Sequence, residues 1–159
     1  MTDLTRRKAL GWIAGTGAAA VTAGQALAQA PQPKLTLLLV NDIYKLGEER
    51  GRGGYARLAA IVRQERARGV PLLFAHAGDC YSPSLMSGFD QGAHIVEMQN
   101  KLGIDVFVPG NHEFDFGKDV YFRRHAESRF PYYAANLRAA DGATPPNHLD
   151  RRVVDLGPV

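Results

Sequence analysis

Short apolar runs alternate along this chain with segments whose apolar residues recur at helical spacing. The run at residues 34–40, KLTLLLV, is nearly continuous and predicts a strand buried on both faces. Two further apolar runs predict buried strands at residues 71–75 and 104–108. Apolar positions three and four apart predict helices at residues 55–68, 92–102 and 118–128.

The pattern becomes weaker towards the end of the chain. Residues 132–137 predict a fourth strand, and the loosely alternating residues 152–156 predict a fifth, with His148 in the loop before it. The polar residues 81–90 predict a loop. Because strand and helix alternate at the spacing of βαβ units, the predicted fold class is α/β with a mainly parallel sheet.

Residues 1–30 have the three parts of a signal peptide. Arg6-Arg7-Lys8 is a basic start, residues 11–23 are a weakly apolar core, and Ala28-Gln29-Ala30 is a small-x-small cleavage site. The paired arginines resemble a twin-arginine signal, which implies a periplasmic or secreted protein. A general secretory signal or a frayed amphipathic end is the alternative. A single folded domain is expected at residues 31–159.

Charge, hydropathy and cysteine content exclude several classes of protein. The formal net charge is +3 at pH 7, and the leader carries most of it, so charge gives no support for nucleic-acid binding. No window reaches the roughly 20 uninterrupted apolar residues of a membrane span, so no stable span is expected after signal removal. The one cysteine, Cys80, has no partner for an internal disulfide.

Ionisable and amide side chains follow the three buried strands predicted first. Asp42 follows the first strand, Asp79 the second, and Asn111 with His112 the third. Because the carboxyl ends of parallel strands meet at one edge of a sheet, these groups can converge. Carboxylate and amide oxygens suit a hard or borderline divalent metal, and one aspartate can bridge two ions. Each residue taken alone is equally compatible with a turn or a helix cap.

The most distinctive stretch is Asn-His-Glu-Phe-Asp-Phe-Gly at residues 111–117. His112 can act as acid, base or ligand near neutral pH. Asp115 lies one turn further on and could hold the imidazole by its second nitrogen. The alternative for any one of these residues is a strand-to-helix turn in which Gly110 ends the strand and Asn111 acts as a cap.

This stretch resembles the signature of the calcineurin-like metallophosphoesterases, in the branch that holds the bacterial 5′-nucleotidases. The resemblance extends from about Lys34 to the end of the chain. Asn41-Asp42 and Gly78-Asp79 are similar to the first two metal-ligand blocks of that family. Further similar blocks are found at residues 53–58 and 133–137.

The resemblance implies a site with two divalent metal ions, drawn from Mn, Zn, Mg and Co. Asp42 would bind the first ion, Asp79 would bridge both, and Asn111 would bind the second. His112 with Asp115 would form a dyad that stabilises charge on the phosphate and assists the leaving group. A metal-bound hydroxide would be the nucleophile, since a bound cation lowers the pKa of water.

Two departures from the family pattern affect these expectations. Tyr44 stands where the family has the histidine of Asp-x-His, and a phenol with a pKa near 10 is a poor neutral ligand, so Tyr44 is a doubtful ligand or a neighbour of the site. The family's later Gly-His-x-His block is absent from the sequence. We therefore expect a truncated catalytic domain that holds part of an αββα sandwich.

The leading interpretation is an exported enzyme that hydrolyses small-molecule phosphate monoesters, nucleotides in particular. A sulfur-oxidation thiosulfohydrolase on the same scaffold is a rival enzyme. A rival from another class is a non-catalytic truncated remnant that binds metal weakly. Oligomeric state, metal identity and the particular ester are not determined by the sequence.

Overall fold

Parallel strands lie side by side in chain order in this computed structural model, which describes residues 33–155. The five strands of the described part are β1 (Thr36–Val40), β2 (Leu72–His76), β3 (Val106–Phe107), β4 (Tyr132–Tyr133) and β5 (His148–Leu149). Every neighbouring pair is parallel, with Leu38 opposite Phe74 and His76 opposite Phe107. The predicted α/β class with a parallel sheet is confirmed.

The connections between strands contain the helices that the apolar periodicity predicts. The helices are α1 (Tyr55–Ala67), α2 (Ser87–Asp90), α3 (Ala93–Leu102) and α4 (Lys118–Glu127), with a 3₁₀ turn at His112–Phe114. Only α2 was not expected, since residues 81–90 predict a loop. Gly103 ends α3 with φ 67°, a left-handed conformation that glycine adopts without steric cost.

The core lies between the helices and one face of the sheet. Phe74 and Phe107 on neighbouring strands are fully buried, as are Ile95 of α3 and Tyr121 of α4. Val62 lies on the inner side of α1 and is almost fully buried. Because side chains alternate along a strand, only every second residue of β1 faces this core.

The expectation that β1 is buried on both faces is wrong in the described part of the chain. Leu37 and Leu39 are 61% and 60% exposed, whereas Leu38 and Val40 pack against the core. The reason is topological: β1 lies at the edge of the sheet, and the core formed with the helices takes up one face only. A continuous apolar run predicts a strand but does not reveal which neighbours cover it.

The last two strands differ in position from the sequence prediction. β4 is limited to Tyr132–Tyr133 rather than residues 132–137, because a turn closed by the Leu137 N–H and the Ala134 carbonyl follows it. β5 begins at His148, which was expected in a loop, and residues 152–155 form no strand. The Ala134 N–H donates to the Leu149 carbonyl at 2.9 Å.

The predicted signal peptide, residues 1–30, lies outside the described residues. Within residues 33–155 no helix is long and apolar enough to cross a membrane.

Candidate functional site

Three neighbouring strand ends bring the predicted site residues to one edge of the sheet. Asp42 follows β1, Asp79 follows β2 and Asn111 follows β3. Backbone hydrogen bonds continue beyond the strands, since the Asp42 N–H donates to the Gly78 carbonyl at 3.1 Å. The loops that bear Asp42 and Asp79 are therefore tied to each other by their main chains.

Asp42 and Asp79 have the same unusual backbone conformation. Both residues have φ of 57°, in the left-handed region that residues other than glycine rarely adopt. Such a conformation costs about 1–3 kcal/mol and is typical of sites where the surrounding structure fixes a functional side chain. The shared conformation turns the chain sharply at the carboxyl end of both strands.

Two glycines let the loop that follows β2 and the loop that follows β3 come into contact. A Cβ on Gly78 would lie 2.6 Å from the Val108 carbonyl oxygen, and a Cβ on Gly110 would lie 2.7 Å from Cγ of Asp79. A side chain at position 78 would require a shift of the backbone, and one at position 110 would displace the Asp79 carboxylate. The close approach allows the His112 N–H to donate to Oδ1 of Asp79 at 3.1 Å.

His112 and Asp115 are in direct contact. Nδ1 of His112 lies 2.6 Å from Oδ2 of Asp115, because the 3₁₀ turn stacks residues three apart. Ser82 reaches the same pair: its hydroxyl donates to Oδ2 of Asp115 and lies 3.4 Å from Nδ1 of His112. The three side chains form one hydrogen-bonded cluster, in which Ser82 is buried while His112 and Asp115 are partly exposed.

The electrostatics of this cluster favour a charged imidazole. The hydrogen bond with Asp115 raises the pKa of His112 above its ordinary value of 6.5. The Ser82 hydroxyl, and then His112, lower the pKa of Asp115. His112 is one-third exposed and can therefore meet a ligand from solvent.

The oxygen donors at the strand ends suit a hard divalent cation. Asp42 accepts the Asn41 side-chain amide with Oδ2, and Asp79 accepts the His112 N–H with Oδ1. The other oxygen of each carboxylate has no hydrogen-bond partner among residues 33–155, so each can serve as a ligand. Together with the Asn111 amide they would supply three oxygens, part of the six or more ligands that Mg²⁺ or Ca²⁺ takes.

No cluster of three or more His, Cys, Asp or Glu side chains suited to hold a metal occurs within the described residues. The oxygens of Asp42, Asp79 and Asn111 have the chemistry that suits a divalent cation, but they would supply only part of its ligand shell. Tyr44, the doubtful ligand, lines a cleft of about 490 Å³ that also contains Asp42. Lys45, Arg52 and Arg57 also line that cleft. Lys45 pairs with Glu49 and Arg57 pairs with Glu48, each at 2.7 Å.

The other histidines have partners of their own. His76 is buried, its ring stacks on Phe107, and its Nδ1 accepts the Gly78 N–H at 3.0 Å. His94 on α3 contacts Asp90 at 2.8 Å. His125 and His148 stack on each other with ring centroids 4.6 Å apart.

Sequence reasoning missed two residues of this region. Ser82 lacks the Gly-x-Ser-x-Gly context of a serine nucleophile and carries no sequence signal of its own, yet its hydroxyl contacts Asp115. Glu113 was read only as part of a motif, yet it is fully buried and accepts hydrogen bonds from both glycine-containing loops. The only sequence signal for Glu113 was its position inside the Asn-His-Glu-Phe motif, between His112 and Phe114.

The chain belongs to a known class of hydrolases, the phosphoesterases. The calcineurin-like phosphoesterase family matches residues 35–151, and the chain belongs to that family. The resemblance seen in the sequence motifs is thereby confirmed.

Several curated relatives of this chain are nucleotidases that are much longer than it. A snake venom 5′-nucleotidase from Gloydius brevicauda is 34% identical over 119 residues, which is 66% of this chain and 20% of that protein. The human 5′-nucleotidase is 32% identical over 119 residues, which is 67% of this chain and 21% of that protein. The chain thus spans about one-fifth of the length of the curated relatives it matches.

Several solved structures share the fold of this chain. The NAD nucleotidase of Haemophilus influenzae superposes with a TM-score of 0.66 at 23% identity, covering 77% of this chain and 24% of that one. The sulfate thiohydrolase SoxB of Thermus thermophilus gives a TM-score of 0.67 at 20% identity, and the match covers 80% of this chain and 34% of that one. At these identities the likeness shows the fold alone.

Proposed function

We propose that this chain carries the His–Asp half of a metal-dependent phosphate monoester hydrolase whose substrates are nucleotides. The observation that supports this most directly is the position of the His112–Asp115 pair. It adjoins the loop of Asp79, whose Oδ1 accepts the His112 N–H at 3.1 Å. The loops that follow β2 and β3 therefore supply a proposed anionic metal ligand, Asp79, and a proposed proton donor, His112, next to each other.

His112 is the proposed acid. Its raised pKa favours the imidazolium near neutral pH, which can stabilise negative charge on a phosphate and donate a proton to the leaving oxygen. Asp115 orients the ring through Nδ1, and this leaves Nε2 for the substrate. Ser82 in turn fixes Asp115, so the ring is held by two successive hydrogen bonds.

Asp42, Asp79 and Asn111 are the proposed ligands of two divalent ions, with Asp79 shared between them. When bound, such ions supply Lewis-acid stabilisation of the charge on a phosphoryl group. Tyr44 at the position of the family's histidine weakens the first site, because a neutral phenol is a poor ligand. Ligands beyond these three are needed to complete both shells.

Nucleotides are proposed as the substrate class because the relatives are named 5′-nucleotidases. The thiosulfohydrolase alternative shares its scaffold with this chain, as the likeness to SoxB indicates, but that likeness carries no information on the reaction. Export through a twin-arginine-type signal at residues 1–30 is part of the proposal, and it rests on the sequence pattern of the leader.

The test is hydrolysis of AMP and p-nitrophenyl phosphate by the full chain. Mn²⁺, Mg²⁺, Zn²⁺ and Co²⁺ are added in turn, and release of phosphate is measured. Loss of metal-dependent turnover in Asp79→Asn, with activity kept in the exposed-surface control Asp119→Asn, would support the proposal. A folded chain that binds none of these metals and releases no phosphate would contradict it and favour the non-catalytic alternative.

A further inference from the structure

Glu113 is a carboxylate buried without a cation. It is 0% exposed, and among residues 33–155 no Lys, Arg or His nitrogen lies within 4.0 Å of it. Such a group is costly to bury unless hydrogen bonds replace its hydration. Backbone N–H groups do so here. Oε2 accepts from Gly110 at 2.6 Å and from Asp79 at 2.9 Å, and Oε1 accepts from Cys80 at 2.8 Å and from Tyr81 at 3.3 Å.

These donors come from two loops that are distant in sequence. Asp79, Cys80 and Tyr81 follow β2, and they lie 32 to 34 residues before Glu113. Gly110 follows β3 and precedes the proposed ligand Asn111 directly. One carboxylate therefore bridges the backbones of the two loops that carry the proposed second metal site. Charge-assisted hydrogen bonds are among the strongest available for such a bridge.

A chain of hydrogen bonds continues from Glu113 to the Asp42 loop, which follows β1. The Cys80 thiol donates to Oε1 of Glu113 at 3.3 Å, and the Gln99 side-chain amide donates to the sulfur at 3.1 Å. The same amide lies 3.5 Å from the Tyr55 hydroxyl, which donates to the Ile43 carbonyl at 2.9 Å. Ile43 is the residue after Asp42, so the chain of contacts spans all three proposed ligand loops.

We propose that Glu113 is a positioning residue that sets the metal affinity of the site by holding the Asp79 and Asn111 loops together. The buried chain through Cys80, Gln99 and Tyr55 extends this control to the Asp42 loop. This inference rests on the proposed function, because it takes Asp42, Asp79 and Asn111 as metal ligands. Glu113 itself binds neither metal nor substrate, since its oxygens are fully engaged inside the protein.

The test compares Glu113→Gln with the wild-type full chain by two measurements. Mn²⁺ affinity is measured by electron paramagnetic resonance of the unbound ion, without substrate. Hydrogen exchange of the Asp79, Cys80 and Gly110 amides is measured by NMR in metal-free buffer. Glu97→Gln is the matched control, because Glu97 is an exposed glutamate on α3 that pairs with Lys101.

We expect Glu113→Gln to weaken Mn²⁺ binding about 10- to 100-fold, the range typical for residues that orient metal ligands. The three amides should exchange at least about tenfold faster, because a neutral amide accepts their hydrogen bonds poorly and turns an NH₂ group towards some of them. Glu97→Gln should change neither quantity. Unchanged Mn²⁺ affinity in Glu113→Gln would overturn the proposal.

Two further variants keep the inference testable if Glu113→Gln does not fold. Glu113→Asp retains the charge but is one methylene shorter, and it should show the same two changes to a smaller extent. Tyr55→Phe removes the hydroxyl, and with it both the bond to the Ile43 carbonyl and the contact with the Gln99 amide. Equal Mn²⁺ affinity in this variant would overturn the extension to the Asp42 loop. If the wild type binds no Mn²⁺, the proposed function fails, while the amide exchange still decides whether Glu113 holds the two loops.

Discussion

Gly78 and Gly110 approach each other so closely that neither position has room for a side chain. A Cβ on Gly78 would lie 2.6 Å from the Val108 carbonyl oxygen, next to the Gly110 backbone. Gly78 also has φ of 79°, which disfavours any other residue. The contact brings the Asp79 carboxylate against the loop of His112. Both glycines are thus required by the geometry of the candidate site.

Gly78→Ala should therefore be more damaging than a glycine replacement that meets only backbone strain. Gly69 is the matched control, because it has φ of 71° and open space around it. Gly69→Ala should cost about 1–2 kcal/mol of unfolding free energy for the left-handed backbone. Gly78→Ala should cost about 1–3 kcal/mol more for the steric clash. Urea denaturation measures both, and equal losses would contradict the predicted clash.

Asp115→Asn should lower the pKa of His112. The hydrogen bond with Asp115 raises that pKa, so a neutral partner should return it towards 6.5. The stability that the pair contributes is present below pH 6.5 and is lost as the pH rises through the raised value. NMR titration of the His112 ring protons measures the change, with Asp119→Asn as the control. An unchanged His112 pKa would show that the contact does not persist in solution.

Acid should destabilise the fold through His76. Burial lowers the pKa of His76 from 6.5 to about 4, so the unfolded chain binds a proton more readily between these values. Unfolding free energy should fall as the pH drops from 6.5 to 4, by up to about 3 kcal/mol from this residue.

His76→Phe keeps a ring against Phe107 and should remove this part of the pH dependence. It should also cost stability at pH 7.5, because the Gly78 N–H loses its acceptor. Denaturation at pH 7.5 and pH 5 measures both effects. A wild-type slope retained in His76→Phe would assign the acid sensitivity to other groups, among them His125, whose pKa is also lowered by burial.

Cys80 should resist alkylation in the native protein. The thiol is fully buried, and burial followed by the charge of Glu113 raises its pKa well above the ordinary value. Thiolate is the reactive form, so iodoacetamide at pH 8 should label the unfolded chain much faster than the folded one. Mass spectrometry gives a direct reading, because Cys80 is the only cysteine. Rapid labelling of the folded chain would indicate that the Asp79 loop opens.

Tyr44→His should strengthen metal binding at the proposed first site. It restores the residue type that the family motif has at this position, and a neutral imidazole is a far better ligand than a phenol. Tyr44→Phe is the control, because it removes the hydroxyl without adding a ligand. Calorimetric titration with Mn²⁺ and Zn²⁺ measures the difference. Equal affinities in all three proteins would exclude position 44 from the metal shell.

Local sequence patterns determined much of this fold. The apolar runs before Asp42, Asp79 and Asn111 predicted β1, β2 and β3, because short apolar runs bounded by polar or turn residues favour strands. The apolar spacing of residues 92–102 predicted α3, because helical periodicity is a local property, and Gly103 ends that helix in a left-handed conformation. The shared edge of the three strand ends followed from the βαβ alternation, whereas the order of the strands became known from the structure.

Only the tertiary structure decided which residues are buried against which neighbours. The open face of β1 at Leu37 and Leu39 depends on what covers the sheet, and the sequence of the strand does not contain that information. The role of Glu113 is the clearest case. A glutamate in a loop predicts a solvated side chain, and its burial becomes favourable only when folding brings N–H groups from 32 to 34 residues away to its carboxylate.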